Sequence, residues 1–499
     1  MLQSEPNVGA DASGGDAVSL GPALLNSYAD LPPRFYTQTS PSPVGDPRLI
    51  KFNVALATEL GLNTGLDPST LAAVFSGNRP VVGSRPIAMA YAGHQFGQFV
   101  PQLGDGRAIL LGEVMDVKGR RRDVQLKGSG RTAYSRGGDG RAALGPVLRE
   151  YVVSEAMHAL GIPTTRALAA VSTGEHVLRD DALPGAIVTR VAASHIRVGT
   201  FQYFAARGDT EGVRLLADYV IRRHHPHVGS LANPHLELLR NVMQRQARLV
   251  AGWMGIGFIH GVMNTDNMTV SGETIDFGPC AFMDEFDPAK VFSSIDRRGR
   301  YAYANQPAAA HWNLARFAET LLPLIDSDSE RAVQLATGVI EEFSQEFGDQ
   351  WLAVMRRKIG LFTEEEGDGA LLQGLLDVMQ RDHSDFTLTF RRLCAAAESE
   401  AAEVALDPEW IGQWRARMAR EPQPASEHAA FMRLVNPAFI PRNHRIEAVI
   451  VAAVEHDNFA PFEALTQVLS RPYEEQPAFA DYAKPPQPEE RVLQTFCGT

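Results

Sequence analysis

The segment spanning residues 260–278, HGVMNTDNMTVSGETIDFG, holds three side chains with oxygen donors suited to a hard divalent cation: Asp266, Asn267 and Asp276. Hard cations take oxygen ligands, and magnesium in particular keeps several waters and is completed by phosphate oxygens. Upstream stand cationic side chains able to grip such phosphates: Lys127, Arg190 and Arg197. An Arg guanidinium matches phosphate oxygens two at a time, and a Lys ammonium serves as a point charge. Taken one by one these residues are ordinary: Asp266-Asn267 also suits an Asx-turn, Asp-Phe-Gly is a common turn tripeptide, and a single Lys or Arg is most often a solvated charge.

The order of the parts matters more than any one of them. A polar loop, a short β-type run over 268–270 and then Asp-Phe-Gly is how protein kinases present their metal ligands. The spacing from His260 to Asn267 also matches the kinase catalytic loop, with one break: Val262 stands where a kinase has its base Asp. Proton acceptance then falls to another residue, and Asp266 is the nearest carboxylate.

The elements that must position these groups can be read in chain order. Residues 53–60 read as a helix stopped by Gly61, and 80–86 as a loop. Gly104-Asp105-Gly106-Arg107 feeds two strands, 108–111 and 123–127, a hairpin that ends on Lys127. Glycines let backbone N–H groups approach phosphate, although Gly-Asp-Gly also marks plain hairpin turns. Next comes GSGRTAYSRGGDGRAALG, with Arg131, Arg136, Asp139, Gly140 and Arg141, which reads either as a flexible polar linker or as a loop facing the nucleotide.

Residues 146–160 form an amphipathic helix with Leu148, Tyr151, Val152, Ala156 and Ala159 on one stripe. Glu150 lies off that stripe, 23 residues after Lys127, and can turn its carboxylate back to the Lys; Glu155 is the rival partner. Strands are expected at 166–171 and 186–191, with Arg190 inside the second and Arg197 just beyond, where the chain passes between two lobes. Helices follow at 200–207, 212–223 and 236–255, then at 314–322, 330–347, 351–359 and 371–379, and 473–490 is Pro-rich, acidic and extended.

Composition narrows the function classes. The chain has 499 residues, 44% hydrophobic and 21% charged, with net charge −12, the profile of an ordinary globular protein too long for one small core. That charge argues against nucleic acid as a partner. No apolar run reaches the ~18 residues of a membrane helix. The first 24 residues lack a secretory pattern and read as a disordered leader, so a cytoplasmic location is expected. Three cysteines, Cys280, Cys394 and Cys497, are too few for a disulfide scaffold.

Together the motifs YAGHQFGQF, LGDGRA, QLKGSGRTAYSRGGDGRA, the VTR–IRVG pair and HGVMNTDNM–IDFGPCAFMD resemble the selenoprotein O (SelO) family of kinase-fold proteins, from about Leu25 to Thr499. The resemblance implies an α+β, bilobal protein-kinase-like fold: a small β-rich N-lobe and a larger, mostly helical C-lobe with a C-terminal extension. The expected division is a leader at 1–24, an N-terminal extension at 25–90, the N-lobe at 91–195, the C-lobe with catalytic and metal loops at 196–310, its helical part at 311–472 and an extended tail at 473–499.

The resemblance also implies protein adenylylation (AMPylation), the transfer of AMP from ATP to Ser, Thr or Tyr hydroxyls of proteins, with ATP bound in reverse and magnesium or manganese present. Lys127, paired with Glu150, would grip the phosphates, and Arg190 and Arg197 the terminal one. Gly104, Gly106, Arg107, Asp139, Gly140 and Asp276 match nucleotide-binding positions, Asn267 and Asp276 metal ligands, and Asp266 the active-site acid. Family members pair a cysteine after Asp-Phe-Gly with one near the C-terminus, which makes Cys280 and Cys497 a candidate disulfide. Competing readings are phosphoryl transfer, disfavoured by Val262; a catalytically silent, redox-responsive ATP-binding pseudokinase; and UMP transfer from UTP with manganese.

Overall fold

Period-2 alternation in the segments AILLGEVM and RRDVQLK sets the centre of a sheet whose two faces bury different partners. The structure is a computed structural model that describes residues 17–399 and 405–496. Its strands are β1 (Tyr36–Gln38), β2 (Arg48–Phe52), β3 (Ile87–Met89), β4 (Gly93–Gln95), β5 (Gln98–Val100), β6 (Ala108–Met115), β7 (Arg121–Lys127), β8 (Ala142–Ala143), β9 (Arg166–Leu178) and β10 (Ala182–Ala192). The main sheet runs β1-β3-β6-β7-β10-β9-β2, with β8 added on β10, and β4 and β5 form a separate hairpin. The β6–β7, β7–β10 and β9–β10 pairs are antiparallel.

Helices α1 (Val54–Glu59) and α2 (Pro68–Phe75) cover one face, α2 with Pro68 in its first turn and its N-terminus capped by Asp67. Leu56, Leu71 and Phe75 meet Val124, Leu126, Val171 and Ile187 there in a core of their own. Helix α3 (Leu144–Ala159) covers the opposite face, packing Leu148, Val152 and Ala156 with Val188 in the main core. Lys127 stands opposite Val188 and Arg190 opposite Gln125, so alternation carries Lys127 and Arg190 to the α3 face while Leu126 and Val191 turn to α1 and α2.

The chain then turns helical: α4 (Val198–Ala205), α5 (Thr210–His224), α6 (Pro234–Gly255), α7 (Gln306–Ile325), α8 (Ser329–Glu341) and α9 (Phe343–Lys358), followed by further helices to Leu469. A β-rich first part and a larger helical second part match the expected α+β, bilobal kinase-like fold. Among the described residues no helix is long and apolar enough to cross a membrane.

Four local expectations differ from the structure. The leader expected at 1–24 is packed where it is described, with Val18, Leu20 and Leu24 buried and Val18 bridged to Val81, while residues 1–16 lie outside the described residues. Residues 330–359 break at Glu342, not near Gly348, because Phe343 turns inward to bury all but 2% of its surface and stack on His311, while Arg240 holds the Glu342 carboxylate. Helix α9 tolerates Gly348 at roughly 1 kcal/mol. Residues 268–270 form no strand. They make a single bridge, Thr269 with Arg197, before the chain turns back at Gly272, whose φ is +76°. The tail is not simply extended: it winds into short 3-10 turns at Pro477–Ala483 and Pro488–Glu490.

Candidate active site

Lys127 ends β7 and Glu150 sits in the second turn of α3, where the ammonium donates to Glu150 Oε2 at 2.7 Å. The rival Glu155 is taken by Arg166, at 2.8 Å. Arg190, on β10, donates through Nε to the other Glu150 oxygen and through Nη2 to Asp276 Oδ1 at 2.5 Å. Lys127 reaches the same Asp276 oxygen at 3.3 Å. Arg197 caps α4 and donates through Nη1 to Asp276 Oδ2 at 3.2 Å and to the Asp266 carbonyl at 2.8 Å. Three cations from β7, β10 and α4 thus converge on one carboxylate, and Arg197 ties that cluster to the 265–267 turn.

Charge and burial decide the protonation states. Burial pushes the Glu150 carboxyl up, but Arg190 and Lys127 outweigh it and hold it down at about 2. Asp276 is likewise pushed up by burial and held well below the usual carboxylate range by Arg190, Lys127 and Arg197. Burial and then Arg190 lower the Lys127 ammonium, against Glu150 and Asp276. Asp276 keeps a φ of +66°, a conformation an Asp adopts at a cost of about 1 kcal/mol, and its ion pairs offset that cost. Its side chain retains 22% of its exposure, against 2% for Arg190. A ligand therefore reaches the carboxylate before the guanidinium.

Asp266 is of a different kind. Burial raises its carboxyl to about 6, against the pull of Arg197. Its Oδ2 accepts from Gln95 Nε2 at 3.4 Å, while its buried Oδ1 has no hydrogen-bond partner. The β4–β5 hairpin lies over it: a methyl group on Gly93 would stand 2.7 Å from Oδ1. His94 N donates to Thr265 Oγ1 at 2.7 Å and Phe96 N to Asn264 Oδ1 at 3.0 Å. Asn267 commits its amide nitrogen to the Val262 carbonyl at 3.0 Å, which turns its oxygen to other partners.

The glycine-bearing residues form two interlocked loops at the ends of β6, β7 and β8. Gly104, at φ +76°, packs so closely on Tyr134 that a methyl group would stand 2.3 Å from the ring, and one on Gly106 would stand 2.8 Å from the Tyr134 carbonyl. Gly130 N donates to Gly140 O at 3.0 Å, and the Arg107 carbonyl accepts from Gly128 N at 2.7 Å. Asp139 is bonded outside the cationic cluster: its carboxylate pairs with Arg179 at 2.8 Å and accepts from Arg141 N at 2.9 Å.

Among the described residues no group of three or more His, Cys, Asp or Glu side chains is placed to hold a metal. Asn267 and Asp276 are two hard oxygen donors, a set that suits a magnesium-type ion completed by phosphate and water rather than one caged by protein alone.

Residue-by-residue reading passed over several contributors. Asp105 is buried, its carboxyl raised by burial, and accepts from Met89 N at 3.1 Å on the strand beside the site. The Tyr91 ring lies 4.5 Å from the Arg197 guanidinium. Arg149 donates to the Gly278 carbonyl at 3.1 Å and fixes the turn after Asp-Phe-Gly. Tyr91 and Gln95 fall in the conspicuous YAGHQFGQF segment, which was a usable signal.

Cys280 is a buried free thiol whose Sγ contacts the Phe277 carbonyl at 3.1 Å, and burial pushes it up to about 12. Cys497 lies outside the described residues. The chain just before it docks on the same turn, with Thr495 Oγ1 donating to the Pro279 carbonyl at 2.6 Å and Thr495 N to Phe292 O at 2.7 Å.

Comparison with known proteins gives the family. The family model described as protein adenylyltransferase SelO matches residues 23–470. A protein nucleotidyltransferase YdiU of Rhizobium rhizogenes is 65% identical over 483 residues, covering 95% of this chain and 96% of its own length. The proteins of that name from Rhizobium meliloti and Bradyrhizobium sp. strain BTAi1 are each 63% identical, over 95% of this chain and 99% and 98% of theirs. With a family match across most of its length and relatives that align almost end to end, the chain belongs to the SelO family of nucleotidyltransferases.

Proposed function

We propose that the protein transfers AMP from ATP to Ser, Thr or Tyr hydroxyls of other proteins and releases pyrophosphate. The observation that carries this reading is the convergence of Lys127, Arg190 and Arg197 on Asp276, beside a buried Asp266 with one unpartnered oxygen. Lys127, Arg190 and Arg197 form one buried cluster with Glu150 and Asp276, and the three cations together suit a β,γ-phosphate pair that becomes the leaving group. With the triphosphate tail lodged among them, the α-phosphorus lies towards Asp266.

In the step itself the acceptor oxygen bonds to the α-phosphorus while the bond from that phosphorus to the β-bridging oxygen breaks. The hydroxyl proton passes to Asp266, whose carboxyl near 6 is ionised at neutral pH and basic enough to take it. Pyrophosphate leaves with the bond electrons, and Lys127, Arg190 and Arg197 stabilise its charge. A magnesium or manganese ion on Asn267 and Asp276 supplies neutralisation of phosphate charge when bound. Arg197 positions the Asp266 backbone through its carbonyl, and Glu150 keeps Lys127 and Arg190 aimed.

The test is incubation of the protein and an acceptor with ATP labelled at either the α or the γ position. Label from α alone supports AMP transfer. Label from γ means phosphoryl transfer, and no label from either position overturns both.

A further inference from the structure

The hairpin over Asp266 and the segment it packs on carry a feature that the transfer chemistry does not use. The β4–β5 hairpin turns at Phe96-Gly97, both with positive φ, and packs Phe96 at a tilt on Tyr301 at 5.3 Å. Tyr301 donates to Asn264 Oδ1 at 2.8 Å, the oxygen that also receives Phe96 N. The hairpin, the 264–267 turn and the segment following Asp-Phe-Gly are thereby locked into one wall. On that wall Arg300 lies 4.8 Å over the Trp312 ring, and His94 packs edge-on to Trp312 at 5.1 Å and tilted on Phe99 at 4.9 Å. Phe99 stays 39% exposed.

The charge on this wall is unbalanced. Arg300 has no carboxylate within ion-pair distance among the described residues, and its buried Nε has no hydrogen-bond partner. Arg297 and Arg298 are exposed two and three residues before it, likewise without a carboxylate partner among the described residues. The one acid of the turn, Asp296, is buried and spent on the backbone N–H groups of Arg300 and Tyr301, at 2.9 and 2.8 Å. In a chain of net charge −12, three adjacent uncompensated guanidiniums beside the site form a local inversion of the field.

We propose that this wall docks an acidic, extended segment of the acceptor protein, placing the hydroxyl next to it at Asp266. The inference rests on the AMP-transfer reading and deepens it by naming the acceptor's flanking chemistry. Carboxylates of the segment pair with Arg297, Arg298 and Arg300, and its apolar groups lie along Phe99 and Trp312. Stacking on Trp312 holds Arg300 in one orientation, so less side-chain freedom is lost on pairing.

Binding is measured by fluorescence anisotropy with two labelled peptides, a Ser flanked by Asp and Glu and the same Ser flanked by Asn and Gln. The full chain is compared with Arg297→Ser/Arg298→Ser and with Arg48→Ser/Arg381→Ser, which removes equal charge elsewhere. The acidic peptide binds the wild type more tightly than the neutral one, and the advantage shrinks with salt. The Arg297/Arg298 variant weakens acidic-peptide binding by about tenfold and the control by less than twofold. Equal binding of both peptides, or equal loss in the two variants, overturns the proposal. The α-labelled ATP assay on the same peptides separates the two ideas. Acidic-selective binding without transfer sustains docking and sinks the AMP-transfer reading. Transfer to both peptides at the same efficiency does the reverse.

Discussion

Replacing Glu150 by Gln tests the cationic cluster at the point where it is most buried. The carboxylate bridges Lys127 and Arg190 with only 5% of its side-chain surface exposed. Its acidity is shifted from 4.5 to about 2 by those partners. At about 1.4 kcal/mol per unit, that difference corresponds to about 3 kcal/mol of folding stability. Removing one member of a buried ion pair costs about 3–5 kcal/mol on general grounds, so two routes reach the same size. The sign follows from the folded carboxyl being the stronger acid. Its contribution is complete above the unfolded value of 4.5 and is lost as pH falls towards 2. Urea unfolding without nucleotide or metal should show the variant about 3 kcal/mol less stable at pH 7, with the gap to wild type closing below pH 4.5. Inorganic tripolyphosphate should raise the variant's midpoint more than the wild type's, because one cluster charge is uncompensated. A gap below about 1 kcal/mol at neutral pH, or one that widens on acidification, would refute the reasoning.

Other perturbations probe neighbouring parts. Asp276→Ala removes the proposed metal donor and the anchor of three cations, so metal-dependent label transfer from α-labelled ATP should vanish. Gly93→Ala should lower turnover at least tenfold while nucleotide binding, read by thermal shift, changes little, because its methyl group meets Asp266 Oδ1 at 2.7 Å. Unchanged turnover would remove the hairpin from the account of Asp266. Cys497→Ser should abolish an oxidation-dependent shift on non-reducing gels, since the preceding Thr495 docks at Pro279, next to Cys280. A shift that persists in the variant would exclude that pairing.

The sequence showed the cluster before it showed what holds the cluster. Lys127 at a strand end, Glu150 off its helix stripe and Arg190 in a strand were legible because alternation and helical period assign faces without knowledge of the partner. The choice of Glu150 over Glu155 was not, since it depends on Arg166 reaching Glu155 across the α3–β9 contact. The β4–β5 hairpin escaped notice because three-residue strands carry too little periodicity, and its turn uses Phe96 at φ +51° where Asn or Asp would have signalled it. Asp139 was marked as a nucleotide-binding position by the family resemblance alone, and its bond to Arg179, 40 residues on, is visible only in the fold. The break at Glu342 is set by tertiary burial of Phe343, which overrides local helix preference.

The ion pairs of Asp276 bear on how a nucleotide would arrive. With Asp276 bonded to Lys127, Arg190 and Arg197, the protein supplies its own anion to the place where a polyphosphate would sit. On the proposed reading, loading would be an exchange of counter-ions: phosphate oxygens would take over the cations as a divalent ion took over the carboxylate. Either exchange alone would strand a buried charge. Each would then raise the affinity for the other by the same factor, a reciprocity written into one aspartate.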